Sequence, residues 1–197
     1  GVQFKLIIVK KVLSILILSL TVLFVYAQEP YSYHYSEFHD RDYVIEISHN
    51  KKQVYTLHIE VESLDDKAYF AGIKVSQRAM TRFIQDLITA KEWYTELKRS
   101  SQRGELNVTK QRLDFNTKVL GGYFKKGTGM YTDHSIKPVY TFEIIRKQGR
   151  TWYLMRMSTG RMISPIFEHI QCTGAEIAFS SEKEIDEFIE RIQTSQF

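Results

Sequence analysis

Apolar residues recur at every second position over much of this chain, and that period of two constrains its fold more than any other feature. Residues 43–48 and 54–61 alternate between apolar and polar side chains, with the polar segment Asn50-Lys51-Lys52 between them. This pattern predicts a β-hairpin with one buried face. Further strands are predicted at residues 69–75, 113–124, 139–146, 151–157, 167–172 and 175–179.

Two segments break this pattern with helical spacing. Behind Ser76, an N-cap residue type, apolar residues are spaced by three and four and continue to about Lys98. A shorter stripe follows Ser180 and Ser181, and Ser181 with Glu184 has capping-box spacing. The chain is therefore predicted to be α+β, with an antiparallel sheet of seven or eight strands, one long central helix and one C-terminal helix.

The two halves resemble each other in pattern. Residues 71–76 match residues 175–180, and each segment leads into a helix whose stripe contains a Phe-Ile pair. This similarity suggests a duplicated β-β-β-β-α unit, with halves at about 28–100 and 108–197. Coincidence is the alternative, because junctions of strand, Ser and helix are common.

The first 27 residues have the composition of a targeting segment. Lys5, Lys10 and Lys11 precede an apolar run over residues 12–27 that ends in Val25-Tyr26-Ala27. A basic segment, a short apolar run and small or apolar residues at the end predict a signal peptide over residues 1–27. Residues 28–197 are then a single α+β domain in the periplasm or outside the cell. The alternative is an uncleaved membrane anchor.

Charge is unevenly distributed once this segment is set aside. Residues 28–70 carry four basic and nine acidic side chains, residues 71–170 carry 18 and eight, and residues 171–197 carry two and six. The net charge of +1 that remains is poor evidence for nucleic-acid binding. The basic middle either neutralises the acidic ends or presents a patch to an anionic partner.

Four cations in the basic middle are the candidate ligand site. Lys125 and Lys126 precede a glycine-containing segment, while Lys147 and Arg150 flank the predicted Gln148-Gly149 turn. Because turn tips are exposed, these side chains are predicted to meet an anionic glycan or another envelope component. No cofactor is expected, and contact with the membrane is expected only through an uncleaved leader.

Residues with catalytic potential do not form a recognisable motif. Adjacent side chains such as Asp133-His134-Ser135 cannot converge into a triad. His169 and Cys172 would face opposite sides of a strand, since an odd number of positions separates them. The function predicted is thus a non-enzymatic binding or interaction module. The alternatives are a small exported hydrolase and a single-stranded nucleic-acid binder.

Aromatic residues on two predicted strands, with Arg146 and Arg156 nearby, could either bind a sugar or fill the core. They are Tyr140, Phe142, Trp152 and Tyr153. Tyr31, Tyr33 and Tyr35 alternate with polar residues in a segment that is either an N-terminal arm or a first edge strand. The sequence therefore does not decide whether the aromatic residues of the two strands or the alternating tyrosines contact a ligand.

Three features together resemble a known type of protein. They are the Lys-Lys leader, the segment Gly72-Ile73-Lys74-Val75-Ser76 before a long helix, and Phe179-Ser180-Ser181-Glu182 before the last one. In these the chain resembles small secreted proteins of the Bacteroidetes type, which implies export and no particular activity. The order of elements resembles whirly-like proteins, which bind single-stranded nucleic acid, but their motifs are not present in the sequence.

Cleavage of the leader gives a first testable expectation. N-terminal sequencing of the exported protein should begin near Gln28, because the apolar run and Val25-Tyr26-Ala27 match what signal peptidase reads. An intact, membrane-bound product would show instead that the segment is an anchor.

Overall fold

The structure, a computed structural model, describes residues 31–68 and 70–195. The predicted signal peptide lies outside these residues. Twelve strands and two helices follow one another in the described part: β1 (Tyr31–Ser36), β2 (Arg41–His49), β3 (Tyr55–Ser63), β4 (Phe70–Ser76), α1 (Gln77–Gln102), β5 (Lys110–Leu113), β6 (Leu120–Lys126), β7 (Gly129–Ile136), β8 (Val139–Lys147), β9 (Arg150–Ser158), β10 (Met162–Ile163), β11 (Gln171–Cys172), β12 (Ala175–Phe179) and α2 (Glu182–Thr194).

Ten of these strands form one antiparallel sheet, and β10 and β11 pair separately. The order β5-β8-β9-β12-β3-β4-β6-β7 runs across the sheet, and β1 and β2 join it through β3. One edge of β3 pairs with β4, while the other pairs with β2 over residues 55–59 and with β12 at residues 62 and 63. The predicted α+β class, with an antiparallel sheet, a long central helix and a C-terminal helix, is confirmed.

The sheet has ten strands where the sequence predicted seven or eight. Residues 113–124, predicted as one strand, are divided between β5 and β6. Residues 125–137, predicted as a loop, contain β7, whose only buried side chains are Asp133 and Ile136. Because β7 has few buried residues, it lacks the apolar alternation that identifies a strand.

The helix starts follow the predicted serines. Ser181 is the N-cap of α2, and its hydroxyl accepts a hydrogen bond from the Glu184 amide at 3.1 Å. Ser76 is the N-cap of α1, but its hydroxyl makes no capping hydrogen bond among the described residues, contrary to the prediction. α1 is held instead by its buried face, which consists of Ala79, Met80, Phe83, Asp86, Leu87, Ala90 and Tyr94.

The core fills the face of the sheet that the period of two predicted. Ile45, Ile59 and Ile73 are cross-strand neighbours on β2, β3 and β4, and each is at most 1% exposed. Gly122 continues this row on β6, where an added Cβ would lie 1.9 Å from a methyl carbon of Ile136. The row therefore requires glycine at that position, because the neighbouring side chain already fills the space.

Both halves of the chain contain four neighbouring strands followed by a helix. In the first half, β1, β2, β3 and β4 lie side by side and α1 follows. In the second half the neighbours are β5, β8, β9 and β12, and α2 follows, whereas β6 and β7 extend the first half beyond β4. This order is compatible with the predicted duplication, which stays a prediction.

The core positions of the two helix stripes generate a stability prediction. Phe83→Ala and Phe188→Ala should each lower the free energy of unfolding by about 3–5 kcal/mol, because both side chains are at most 1% exposed. Chemical denaturation measures the loss. Phe167→Ala is the control, since Phe167 is 48% exposed and its truncation should cost less than about 1 kcal/mol. A comparable loss in all three variants would contradict the assignment of the core.

Candidate functional site

The first pair of predicted ligand-binding cations lies at the end of β6. Lys125 is the cross-strand neighbour of Phe70 on β4 and of Met130 on β7. The Lys126 ammonium lies 3.6 Å from Asp65 and donates a hydrogen bond to the carbonyl of Gln171. This turn therefore packs against the β3–β4 connection and β11.

The second pair lies at the β8–β9 turn and has different neighbours. Arg150 donates to Glu37 at 2.8 Å, and its guanidinium lies 3.9 Å from the ring centroid of Trp152. The Lys147 ammonium lies 5.0 Å from the ring centroid of Phe38. Both cations thus contact the β1–β2 turn, and an anionic ligand would have to compete with these contacts. A shared patch of all four cations stays a prediction.

Most of the aromatic residues singled out on β8 and β9 belong to the interior. Tyr140 and Phe142 are at most 1% exposed, while Trp152 is half-buried under the edge of the Phe38 ring, with centroids 5.5 Å apart. Arg156 binds Glu143 and Glu176. These rings therefore pack the protein and do not form an open stacking surface.

Asp133 lies in an open pocket of about 520 Å³, yet its contacts are structural. One carboxylate oxygen accepts hydrogen bonds from the amide and hydroxyl of Ser135, at 2.8 and 2.7 Å, and the other accepts from the Ile163 amide at 2.9 Å. Burial raises the pKa of Asp133, but these hydrogen bonds outweigh it and hold the pKa below its ordinary value. An ionised carboxylate has no proton to donate, and a lowered pKa with both oxygens accepting hydrogen bonds makes Asp133 a weak base.

Cys172 is buried, and its contacts do not activate it. The thiol donates to the Gly174 carbonyl at 3.3 Å, and burial raises the pKa of the thiol. Because the nucleophile is the thiolate, a raised pKa lowers reactivity. His169 stacks edge-on against Phe167. Among the described residues, no group of three or more His, Cys, Asp and Glu side chains could hold a metal ion.

A row of exposed tyrosines lies on β1. Tyr31, Tyr33 and Tyr35 are 48%, 51% and 50% exposed, whereas His34, between two of them, and Ser36, which follows the last, are at most 2% exposed. Successive residues of a strand point to opposite faces, so the three tyrosines, which are two residues apart, share the outer face. We call Tyr31, Tyr33 and Tyr35 the tyrosine row. The alternation is visible in the sequence, but it does not reveal which face is buried.

Contacts on the buried face of β1 fix this orientation. The Ser36 hydroxyl donates to the Ala178 carbonyl on β12 at 3.0 Å, and the Ser32 and Ser195 hydroxyls lie 3.3 Å apart. The His34 ring packs against Phe179 and Phe188, with centroids 5.4 and 4.9 Å apart. β12 and α2 thus hold the polar face of β1, and the tyrosines point outward.

Carboxylates surround the tyrosine row. On β2, Glu46 and Asp42 are the cross-strand neighbours of Tyr31 and Tyr35, and they lie on the same face. The Tyr35 hydroxyl donates to Asp40 at 2.6 Å, a bond that raises the pKa of Tyr35. Asp40, Asp42 and Glu46 form no salt bridge within residues 31–68 and 70–195.

The basic residue that precedes Asp42 in β2, Arg41, is already paired with acidic side chains. Arg41 lies 2.6 Å from Glu60 and 3.0 Å from Glu62, both on β3. The single positive charge of Arg41 is therefore smaller than the combined negative charge of Glu60 and Glu62. The outer surface around the tyrosine row is negative, in contrast to the basic turns that the sequence singled out.

Comparison with protein-family models, curated proteins and solved structures yields no match. Among the described helices, none is long and apolar enough to cross a membrane.

The cationic patch is testable by charge removal. With all four residues changed to Gln, heparin affinity should fall about tenfold, because each exposed charge contributes a few tenths to one kcal/mol. Titration at low and high salt measures the loss. Two double variants are the matched controls: Lys125→Gln/Lys126→Gln and Lys147→Gln/Arg150→Gln. Each should lose part of the heparin affinity that the quadruple variant loses. If the quadruple variant and wild type bind heparin with equal affinity, the four cations are not a binding site for an anionic ligand.

Proposed function

We propose that this chain is an exported, non-enzymatic binding module whose ligand surface is the tyrosine row. One observation carries the proposal: three aromatic rings on one strand are each about half exposed, although the opposite face of that strand is buried. Leaving several large rings in water is unfavourable unless another molecule covers them. Rigid rings also supply contact area at a low cost in side-chain entropy.

The contacts of the catalytic candidates support binding over hydrolysis. One Asp133 oxygen binds Ser135 within β7 and the other joins β7 to Ile163 on β10, and the Cys172 thiol is buried with a raised pKa. The Ser135 hydroxyl donates directly to Asp133, without the intervening histidine of a triad. The contacts of the Cys172 thiol are the Gly174 carbonyl and the Ser63 hydroxyl, neither of which is a base that could activate it.

Charge argues against the nucleic-acid alternative. Aromatic platforms for single strands combine stacking with cations that follow the phosphate backbone. Here Glu46 and Asp42 lie beside the rings, and Arg41 is bound by carboxylates. A phosphate backbone on this surface would be repelled.

Export and duplication are part of the same proposal. Export rests on the composition of residues 1–27. Duplication is supported by the shared order of four neighbouring strands and a helix in each half. An exported module of this kind would have its partner in the periplasm or outside the cell.

Removing the three rings tests the binding surface. The variant Tyr31→Ser/Tyr33→Ser/Tyr35→Ser and wild type are compared for binding to immobilised poly-L-lysine, heparin and dextran. For a probe that wild type binds, affinity should fall about tenfold or more, because each stacked ring contributes about 0.5–1 kcal/mol.

The control is Trp93→Ser, which removes a 40% exposed ring from α1. It should bind every probe as wild type does, and thermal denaturation checks that both variants fold. If the triple variant retains wild-type binding to all three probes, the tyrosine row is not the ligand surface.

A further inference from the structure

Building on the proposed function, we propose that the tyrosine row binds an extended basic segment of another polypeptide, with Lys or Arg at alternate positions. The inference rests on the spacing of the rings and on the charge around them. It deepens the proposed function by naming the partner chemistry.

The spacing of the row matches an extended peptide. Neighbouring tyrosines are two residues apart on β1, which is about 6.6–6.8 Å, and the whole row spans about 13 Å. Every second side chain of an extended ligand repeats at this distance, because the ligand has the same strand geometry. Such a peptide lying along β1 would place one side chain over each ring.

The charge around the row selects basic side chains for those positions. Asp42 and Glu46 lie beside the outer two rings and form no salt bridge within the described residues, and Asp40 accepts only a hydrogen bond from Tyr35. An ammonium or guanidinium over a tyrosine ring is attracted to the ring face and to the adjacent carboxylate at once. The two outer rings of the tyrosine row therefore offer both interactions at the same place, whereas the middle ring, Tyr33, lies beside Val44 and offers its face alone.

The chain already makes this type of contact internally. The Arg41 guanidinium lies 4.7 Å from the ring centroid of Tyr43, and Arg41 is bound at the same time by Glu60 and Glu62. That arrangement of a cation, an aromatic ring and carboxylates is the one proposed at the row, where the protein supplies the ring and the acids and the partner supplies the cation.

The test compares two peptides of equal charge. One seven-residue peptide alternates lysine and threonine, beginning and ending with lysine; the other has its four lysines together and then three threonines. Calorimetric titration at low and high salt should show tighter binding of the alternating peptide, weakening as salt rises. Equal binding of the two peptides would overturn the inference.

Variants separate the contribution of charge from that of the rings. Asp42→Asn/Glu46→Gln should weaken the alternating peptide about five- to tenfold while the rings remain. Tyr31→Phe/Tyr33→Phe/Tyr35→Phe should bind within about twofold of wild type, because phenylalanine keeps the ring face. Lys51→Gln/Lys52→Gln, on the β2–β3 turn, is the control for a general change in charge and should not weaken binding.

The outcomes distinguish this inference from the proposed function. If the Tyr→Ser variant loses dextran or heparin binding while the peptide does not bind, the tyrosine row is a ligand surface for another class and the basic-peptide inference is wrong. If the Asp42→Asn/Glu46→Gln variant binds the peptide as wild type does, the inference also fails. If no probe depends on the tyrosines, both proposals fail.

Discussion

The division of one β3 edge between two strands determines how the rest of the molecule is arranged. Residues 55–59 of β3 pair with β2, and residues 62 and 63 pair with β12. Since β2 and β12 cannot occupy the same edge position, the two groups of strands diverge beyond this point. The β1–β2 turn then lies against β12 and β9, where Ser36 bonds to Ala178 and Phe38 packs on Trp152. In this position the β1–β2 turn also contacts the basic β8–β9 turn, through Glu37 with Arg150 and Phe38 with Lys147.

Anchoring of β1 is unusual because its buried face is polar. His34 Nε2 and Glu184 Oε1 are buried 3.6 Å apart, and neither atom has a hydrogen-bond partner in the part of the chain that the structure describes. Such atoms carry a desolvation cost. It is offset locally, because the other oxygen of Glu184 accepts hydrogen bonds from the amide and hydroxyl of Ser180 at 2.7 and 2.8 Å. Ser32 and Ser36 also have their hydrogen-bond partners on the buried face of β1. The tyrosines, on the opposite face of the strand, are therefore exposed to solvent.

Sequence periodicity could predict the strands that have one fully apolar face, such as β2 and β3, and both helices. It could not predict β7, because an edge strand with only Asp133 and Ile136 buried lacks an apolar alternation. Periodicity also could not predict that the tyrosines face outward. That orientation is determined by the partners of His34 and Ser36, which lie in β12 and α2, far away along the chain. The partners of the predicted cations are equally distant: Glu37 and Arg150 are 113 residues apart.

Segment charges explain why the negative surface lies at the tyrosine row. Ion pairs join the basic middle of the chain to its acidic ends: Arg150 with Glu37, Lys126 with Asp65, Lys91 with Asp186, Lys98 with Glu182 and Arg156 with Glu176. Cations of the middle are paired where β6, α1 and β9 bring them to the acidic segments. β2 pairs with β1 and β3, and β3 and β4 separate it from β6, which carries Lys126. Asp42 and Glu46 form no salt bridge among the described residues, and they lie beside the two outer rings, Tyr35 and Tyr31. The proposed binding of a cation at the tyrosine row depends on these two unpaired carboxylates.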